Sequence, residues 1–280
     1  MNNYCLLVLD SCRHDSVAAA WPELVNLPEL GELRVAYSFA TWTHPAHLSF
    51  LTGRLPWIEE DGATRLRSGG QEYYRDLDRW EWRLGVELDH LTDRGLDIRP
   101  KLHQLGYEVV SIVLAKPIGP GTLYAGLFDR YEYVGRTGNT FDRVLRVLER
   151  WVDPSTPMFA ILNISETHFP YFDGSYTEQF ETRRVPSWSR RVTRGLEGAG
   201  PAERIDFSDS DLAELRRRQV RSVQYVDNFI PRLKELLGDG AIITVTADHG
   251  DCLGESGQFL HGEVWDPTVL RVPFVEGRVE

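Results

Sequence analysis

The stretch "TWTHPAHLSFLTG" places reactive side chains at the start of a predicted helix. Thr43 and His44 precede Pro45, and His47 follows within one helical turn. Proline is favoured in the first turn of a helix, and the N–H groups at a helix N-terminus stabilise an anionic oxygen. A hydroxyl becomes an effective nucleophile when a metal ion binds it. We therefore interpret Thr43 as a candidate metal-bound nucleophile, with helix capping as the other role that its position allows.

Two further apolar runs end in metal-binding side chains. The run "YCLLVLD" ends at Asp10, and "TVTADHG" contains Asp248 and His249. Short continuous apolar runs are typical of buried parallel strands, and open α/β sheets bind ligands at the carboxyl ends of such strands. Together with Thr43, these carboxylates and this imidazole would form a four-ligand site for a divalent ion. The alternative for Asp248 is a helix-capping acid beside a surface histidine.

The elements that position these residues follow from the hydrophobic pattern. Apolar runs predict strands at residues 4–10, 33–39, 107–114, 158–165, 241–248 and 270–276. Apolar residues at helical spacing predict helices at 47–53, 96–106, 139–152 with Asn139 as N-cap, and 208–238, which Pro231 should divide. The alternation of strands and helices predicts an α/β fold with a mostly parallel central sheet and helices on both faces.

The length of 280 residues is consistent with one large domain over residues 1–280. Two stretches break the strand–helix pattern. Residues 54–95 are dense in aromatic and charged side chains, and residues 173–207 are rich in Arg, Gly and Pro. We interpret both as insertions that cap the carboxyl end of the sheet and its substrate site, with a plain loop as the alternative for the second.

Composition limits the partners and the compartment. The formal net charge of −11 argues against a nucleic acid or an anionic membrane as the main partner. Three cysteines without a CxxC pair indicate a reducing compartment and no thiolate zinc site. The N-terminus lacks the pattern of a signal peptide, and no apolar run reaches the length of a membrane span, so we expect a cytoplasmic protein. The sequence leaves the oligomeric state open.

Four segments together resemble the alkaline phosphatase superfamily, on its sulfatase-like branch. "LLVLDSCRHD" resembles the first strand with its metal-binding acid, and "TWTHPAHLSFLTG" resembles the nucleophile segment. "NISETHFPYF" resembles the segment with the His-x-Pro-Tyr signature, and "TADHGDCLGESGQFLHGE" resembles the second metal half-site. The segments occur in the family's order across about residues 4–275. The resemblance implies a three-layer α/β sandwich, here with a reduced C-terminal subdomain.

The resemblance also assigns roles to residues. It implies that Asp10, Thr43, Asp248 and His249 bind one divalent ion and that Thr43 is the nucleophile. His168, in "HFPY", would act on the transferred group.

Four further residues take roles nearer the substrate. His261 lies twelve residues after His249, where the family places a Lys or His that faces the substrate. His47 stands where sulfatases carry an Arg that supports the nucleophile, and Arg13 matches an Arg common after the first acid. We expect His44, His47 and Arg13 to contact the substrate, with a salt-bridge role as the alternative for Arg13.

Departures from the sulfatase pattern narrow the chemistry. Sulfatases convert a Cys or Ser at the nucleophile position to formylglycine, whereas Thr43 cannot undergo that conversion. Threonine is the nucleophile of phosphodiesterase-like relatives and of those that transfer phosphoglycerol or phosphoethanolamine. Ser11 replaces a second acid of the sulfatases, and Glu166 and His168 have the wrong spacing for a second metal site. We therefore expect a single ion.

The expected activity is metal-dependent hydrolysis of a small-molecule phosphorus ester, either a phosphomonoester, a phosphodiester or a phosphonate ester. Thr43 would form a covalent phospho-enzyme, and His168 or His261 would protonate the leaving oxygen. Three oxygen ligands and one nitrogen suit Mn²⁺ or Zn²⁺, with Mg²⁺ and Ca²⁺ as harder alternatives. Three other functions stay open: phosphotransfer to an acceptor alcohol, hydrolysis of sulfate esters, and metal binding without catalysis.

Overall fold

An apolar strand, β1 (Tyr4–Leu9), lies near the centre of a seven-stranded sheet in the computed structural model of this chain. The structure describes residues 2–52, 98–122, 124–135, 140–174, 208–255, 258–262, 264 and 266–280, and the backbone of three strands between residues 58 and 75. No helix among these residues is long and apolar enough to span a membrane.

The secondary structure alternates for most of the chain. The strands after β1 are β2 Arg34–Tyr37, β3 Ile58–Glu60, β4 Ala63–Ser68, β5 Gln71–Arg75, β6 Glu108–Val113, β7 Arg130–Tyr133, β8 Met158–Ile164, β9 Ile242–Thr246, β10 Cys252–Leu253, β11 Phe259–Leu260 and β12 Arg271–Arg278. The α-helices are α1 His14–Ala20, α2 Asn26–Leu30, α3 Thr43–Thr52, α4 Arg99–Gln104, α5 Thr140–Trp151, α6 Asp209–Asp227, α7 Ile230–Leu237 and α8 Pro267–Leu270.

The central sheet has the strand order β2-β12-β9-β1-β8-β6-β7. Strand β1 pairs in parallel with β8 on one side and with β9 on the other. Strands β6 and β7 continue the parallel arrangement, whereas β12 runs antiparallel to both β9 and β2. The predicted, mostly parallel sheet is confirmed. Because β1, β8 and β9 are adjacent and parallel, the residues that follow them meet at one edge of the sheet.

Both faces of the sheet are covered by helices, as predicted. Along β1, Cys5, Leu7 and Leu9 belong to the core that also contains apolar residues of α1, α2, α5, α6 and α7. Leu6 and Val8 point to the opposite face and pack with residues of α3 and α4. Alternate residues of a strand face opposite sides, so a strand buried on both sides must be apolar throughout. This is why "YCLLVL" reads as one continuous apolar run.

Most of the predicted elements are present. All six predicted strands occur, and the helix predicted at 208–238 is divided after Asp227, with Pro231 in the first turn of its second part. The proposed cap Asn139 lies outside the described residues. The pattern missed β7, whose sequence "RYEY" is half polar, because an edge strand is only half-buried and needs no apolar run. It also missed the short helices α1 and α2.

The two predicted insertions are described only in small part. Strands β3, β4 and β5 form a separate three-stranded antiparallel sheet within residues 54–95. The other residues of that stretch, and residues 175–207 of the second, lie outside the described residues. The division of the chain into one domain with two capping insertions stays a prediction.

One buried carboxylate, Asp227, joins helices α2 and α6. Asp227, the last residue of α6, accepts hydrogen bonds from the backbone N–H groups of Val25, Asn26 and Leu27 at 3.0, 3.1 and 2.7 Å. These N–H groups lie at the start of α2, where a helix has donors without partners in its own backbone. Asp227 therefore caps α2 from a distant part of the chain and fixes the two helices against each other.

We expect Asp227→Ala to lower the free energy of unfolding by about 1–3 kcal/mol, because it leaves one buried and two partly buried donors without their acceptor. The matched control is Asp239→Ala, which removes an exposed carboxylate and should change stability by less than about 0.5 kcal/mol. Urea unfolding followed by circular dichroism measures both values. Equal stabilities for the two variants would contradict the capping role.

Candidate active site

Asp10, Asp248 and His249 follow strands β1 and β9, and they come together at the carboxyl edge of the sheet. One ligand atom from each of the three lies within 4.8 Å of the other two, and all three residues are fully buried. Thr43 is the first residue of α3 and is also buried. Its Oγ1 lies 3.4 Å from His249 Nε2. The four residues predicted to bind a metal ion are thus assembled in one place.

His249 is oriented so that one ring nitrogen faces this group. Its Nδ1 lies 3.0 Å from the carbonyl oxygen of Gly250, which accepts the Nδ1 proton. Nε2 then carries the lone pair and faces the Thr43 hydroxyl and Asp248 Oδ2, the latter at 3.5 Å. Position 250 requires a glycine, since a Cβ there would lie 2.4 Å from the carbonyl oxygen of Thr268.

The two oxygens of Asp248 differ in their surroundings. Oδ1 accepts hydrogen bonds from the backbone N–H groups of Ser11 and His249, both at 3.0 Å. Oδ2 is buried and has no hydrogen bond within the part of the chain that the structure describes. Burial, together with the nearby charge of Asp10, raises the pKa of Asp248. A divalent ion bound by Oδ2 would supply the missing partner and offset both effects, so these residues fit a metal ion.

A second group of potential ligands shares His249 with the first. It consists of His249, Asp251 and His261. Both oxygens of Asp251 already have partners, the Tyr171 hydroxyl at 2.9 Å and His261 Nδ1 at 2.6 Å. Because His249 Nε2 faces Asp10 and Asp248, an ion bound between these residues would leave the hydrogen bonds of Asp251 intact. The geometry therefore favours the group with Asp10 and Asp248.

His47 lies behind the candidate ligands and is fully buried. Its Nε2 is 3.8 Å from Asp248 Oδ2 and 3.4 Å from Asn163 Nδ2, and its Nδ1 is 3.4 Å from the Tyr124 hydroxyl. Burial lowers the pKa of His47 to about 3, so the ring is neutral at physiological pH. In this position His47 contacts the candidate ligand Asp248, and its contact with the substrate stays a prediction.

Asn163 on β8 also supports a ligand, although the sequence analysis did not single it out. Its Nδ2 lies 3.4 Å from Asp10 Oδ2, and its Oδ1 accepts from the backbone N–H of Ala115 at 3.1 Å. A polar residue inside the apolar run "MFAILNI" was the available signal, because a fully buried amide needs hydrogen-bond partners.

Arg13 forms ion pairs with two carboxylates, and its expected contact with the substrate stays a prediction. Its side chain is buried and pairs with Asp15 at 2.5 Å and with Glu255 at 2.8 Å. Nη1 further donates to the carbonyl oxygen of Asp251 at 3.1 Å. With its guanidinium engaged in this way, Arg13 ties the end of β1 to the loop after β9, which is the salt-bridge alternative.

His44 is buried beside the aromatic ring of Trp42. The two rings meet edge-on, with 6.1 Å between their centroids. Burial lowers the pKa of His44. Its contact with the substrate stays a prediction.

His168 and His261 lie next to the candidate metal ligands. The ring centroid of His261 is 4.3 Å from that of His249 and 5.5 Å from that of His168. Two hydrogen bonds between Thr41 and Gly262 join the segment that carries Thr43 to the segment that carries His261. His261 is thus close to the nucleophile segment, and His168 lies beside His261.

Comparisons with known proteins agree with this arrangement. A sequence model described as Sulfatase matches residues 113–275, which is more than half of the chain. A phosphopentomutase from Photobacterium profundum is 26% identical over 210 residues, which cover 69% of this chain and 48% of the relative. The chain therefore spans about half the length of this curated relative.

Solved structures share the fold at low sequence identity. The C-terminal periplasmic domain of EptC from Escherichia coli, in complex with Zn, has a TM-score of 0.58 at 13% identity and covers 100% of this chain and 73% of its own. The phosphonate monoester hydrolase of Agrobacterium radiobacter has a TM-score of 0.55 at 15% identity, covering 99% and 68%. The periplasmic relative gives no support to the expected cytoplasmic location. This chain belongs to the sulfatase family, within the alkaline phosphatase superfamily.

Proposed function

We propose that this chain is a metal-dependent hydrolase of small-molecule phosphorus esters and that Thr43 is its covalent nucleophile. One observation carries the proposal. At the N-terminus of α3, His249 Nε2 lies 3.4 Å from the Thr43 hydroxyl and 3.5 Å from the buried Asp248 Oδ2. A hydroxyl that only capped the helix would not need a buried carboxylate and an oriented imidazole beside it.

Asp10, Thr43, Asp248 and His249 would hold the divalent ion. When bound there, the ion lowers the pKa of the hydroxyl and neutralises charge on the phosphoryl oxygens. Three oxygen ligands and one imidazole nitrogen favour Mn²⁺ or Zn²⁺ over Mg²⁺ or Ca²⁺, which prefer oxygen ligands. The zinc complex of the Escherichia coli domain supports the same choice.

The residues of the chain can carry both halves of the reaction. Thr43 Oγ1 gives up its proton to water and forms a bond to phosphorus, while the bond from phosphorus to the ester oxygen breaks. The electron pair stays on the ester oxygen, which takes a proton from His168 or His261. Water then attacks the phosphorus of the phosphothreonine and gives one proton to the same imidazole, while the bond from phosphorus to Thr43 Oγ1 breaks and Oγ1 takes a proton back from water. Thr43 is the first residue of α3, and the positive end of the helix dipole there would favour an anionic phosphoryl oxygen.

The threonine favours phosphorus over sulfur as the reacting atom. A sulfatase nucleophile of the formylglycine type needs a Cys or Ser precursor, and position 43 holds neither. The similarity to a phosphonate monoester hydrolase and to a phosphopentomutase supports the same choice. Transfer to an acceptor alcohol would share the first half-reaction and the same site, so only the product distinguishes it from hydrolysis.

Purified protein is expected to bind close to one divalent ion per chain, and Asp248→Asn is expected to lose it. The amide keeps the shape and the Oδ1 acceptor, but it removes the anionic oxygen that has no hydrogen bond among the described residues. Asp251→Asn is the matched control, since it alters the competing group and should leave the ion bound. Elemental analysis after dialysis measures the metal content. Retention by Asp248→Asn together with loss by Asp251→Asn would place the ion in the other group.

For the nucleophile, we expect Thr43→Ala to reduce kcat for phosphorus esters by about 10⁴–10⁶-fold, because a covalent step is lost. Thr43→Ser should retain measurable turnover. Ser49→Ala is the control, since it removes another buried hydroxyl from the same helix, one that donates to the carbonyl of Pro45. The assay compares para-nitrophenyl esters of phosphate, phenylphosphonate and sulfate, with added glycerol to reveal transfer.

Two results would contradict the assignment of Thr43. Turnover of Thr43→Ala near the parent rate, with a lower melting temperature, would show that the threonine is only a helix cap. Sulfate-ester hydrolysis well above phosphate-ester hydrolysis would exclude the threonine mechanism.

A further inference from the structure

Asp251 is a buried acid beside the candidate active site. It has no role in the proposed metal site or in the attack by Thr43. It lies two residues after His249 and is fully buried. Its Oδ1 is 2.6 Å from His261 Nδ1, and its Oδ2 accepts from the Tyr171 hydroxyl at 2.9 Å. A fully buried carboxylate is costly unless its oxygens are bonded, and here each oxygen has a partner. The short contact to an imidazole is its main interaction.

The contact fixes which nitrogen of His261 can act on a substrate. A carboxylate oxygen only accepts, so the proton of this hydrogen bond lies on Nδ1. Nε2, across the ring, has no protein partner among the described residues, and the side chain of His261 is 20% exposed. The ring packs against His249 with 4.3 Å between centroids. His261 is therefore bonded at Nδ1 and partly exposed, and its ring lies beside that of the candidate metal ligand His249.

Both ends of Asp251 are held by residues away from the metal ligands. Its backbone carbonyl accepts from Arg13 Nη1 at 3.1 Å. Its side chain is held by Tyr171, which is buried and packs edge-on against Phe169 with 5.9 Å between ring centroids. The carboxylate is thus supported independently of the imidazole that it contacts. This arrangement is suited to orienting a side chain, since the orienting group is itself fixed.

The two candidate acids differ in this respect. The Nδ1 of His168 is 2.7 Å from the carbonyl oxygen of Phe169, a neutral acceptor. The Nδ1 of His261 faces the buried carboxylate of Asp251 at 2.6 Å, and a hydrogen bond to an ionised acceptor is shorter and stronger than one to a neutral carbonyl. The bond to Asp251 therefore fixes the orientation of the His261 ring.

We propose that Asp251 is a positioning residue that holds the Nδ1–H of His261 and directs Nε2 to protonate the leaving oxygen. As the bond from phosphorus to the ester oxygen breaks, the electron pair stays on that oxygen and the Nε2 proton moves to it. His261 is then neutral, and its Nδ1–H still donates to Asp251 Oδ1. Water attack in the second step returns a proton to Nε2. This inference rests on the proposed phosphoesterase function and selects His261 over His168 as the acid.

The first test compares leaving groups in the Asp251→Asn variant with bound zinc. Phenyl phosphate needs a proton on its leaving oxygen, whereas para-nitrophenyl phosphate leaves readily without one. We expect kcat/KM for the phenyl ester to fall by about 10²-fold or more, and that for the para-nitrophenyl ester to fall only several-fold. Tyr171→Phe, which removes one bond to Asp251, should shift the ratio in the same direction by less.

Glu255→Gln is the matched control for charge. It neutralises another acid in the same loop, one that pairs with Arg13 and Arg216 and not with His261. It should lower both rates by the same factor, so that the ratio between the two esters stays that of the parent. Equal losses on both esters in Asp251→Asn would overturn the positioning role.

The second test does not depend on turnover. Nitrogen NMR of histidine-labelled, zinc-loaded protein reports which ring nitrogen carries the proton, and His261→Gln assigns the signal. We expect a protonated Nδ1 for His261 in the parent and loss of this preference in Asp251→Asn. A neutral His261 with its proton on Nε2 in the parent would overturn the inference. If the parent hydrolyses no ester, the proposed function and the acid role fail together, while the NMR result still decides the positioning.

Discussion

Two carboxylates that share one buried site, Asp10 and Asp248, impose the main constraint on this molecule. Each is fully buried, and this burial, with the like charge of Asp10 added to it, raises the pKa of Asp248. The cost of burying an ion is several kcal/mol unless opposite charge and hydrogen bonds compensate it. Backbone N–H groups of Ser11 and His249 and the amide of Asn163 supply part of that compensation. A bound cation would supply the remaining compensation for the buried negative charge, and this requirement favours a metal site.

The fold brings these charges together through the parallel pairing of β1 with β9. In that register Val8 lies opposite Thr246, so Asp10 and Asp248 follow at the same level of the sheet. A helix on one face then fixes the loops that carry the site. Gln219 on α6 donates from Nε2 to the carbonyl oxygens of Ser11 at 2.9 Å and Thr167 at 3.1 Å. The amide of Gln219 on α6 thus holds together the segments that follow β1 and β8.

The sequence predicted the parts of the site that depend on local pattern. An apolar run that ends in an acid marks a strand end, so the sequence placed Asp10 and Asp248 at the carboxyl edge of the sheet. The roles of His47 and Arg13 could not be found in this way, because they depend on which distant carboxylates surround each side chain after folding. Asp251 stood beside His249 in the quoted motif, but its function depends on Tyr171 and His261, eighty and ten positions away. Contacts of this range are set by tertiary packing, and no spacing rule reports them.

The central claim is that Thr43 forms a bond to phosphorus, and the most direct measurement is acid quenching during steady turnover, followed by mass spectrometry of the peptide that contains residues 41–52. At saturating substrate the account predicts a fraction of this peptide that carries one phosphoryl group, located on Thr43. The Thr43→Ala protein should show none. Steady turnover of the parent with no phosphoryl group on this peptide, or with the group on a histidine, would contradict the account.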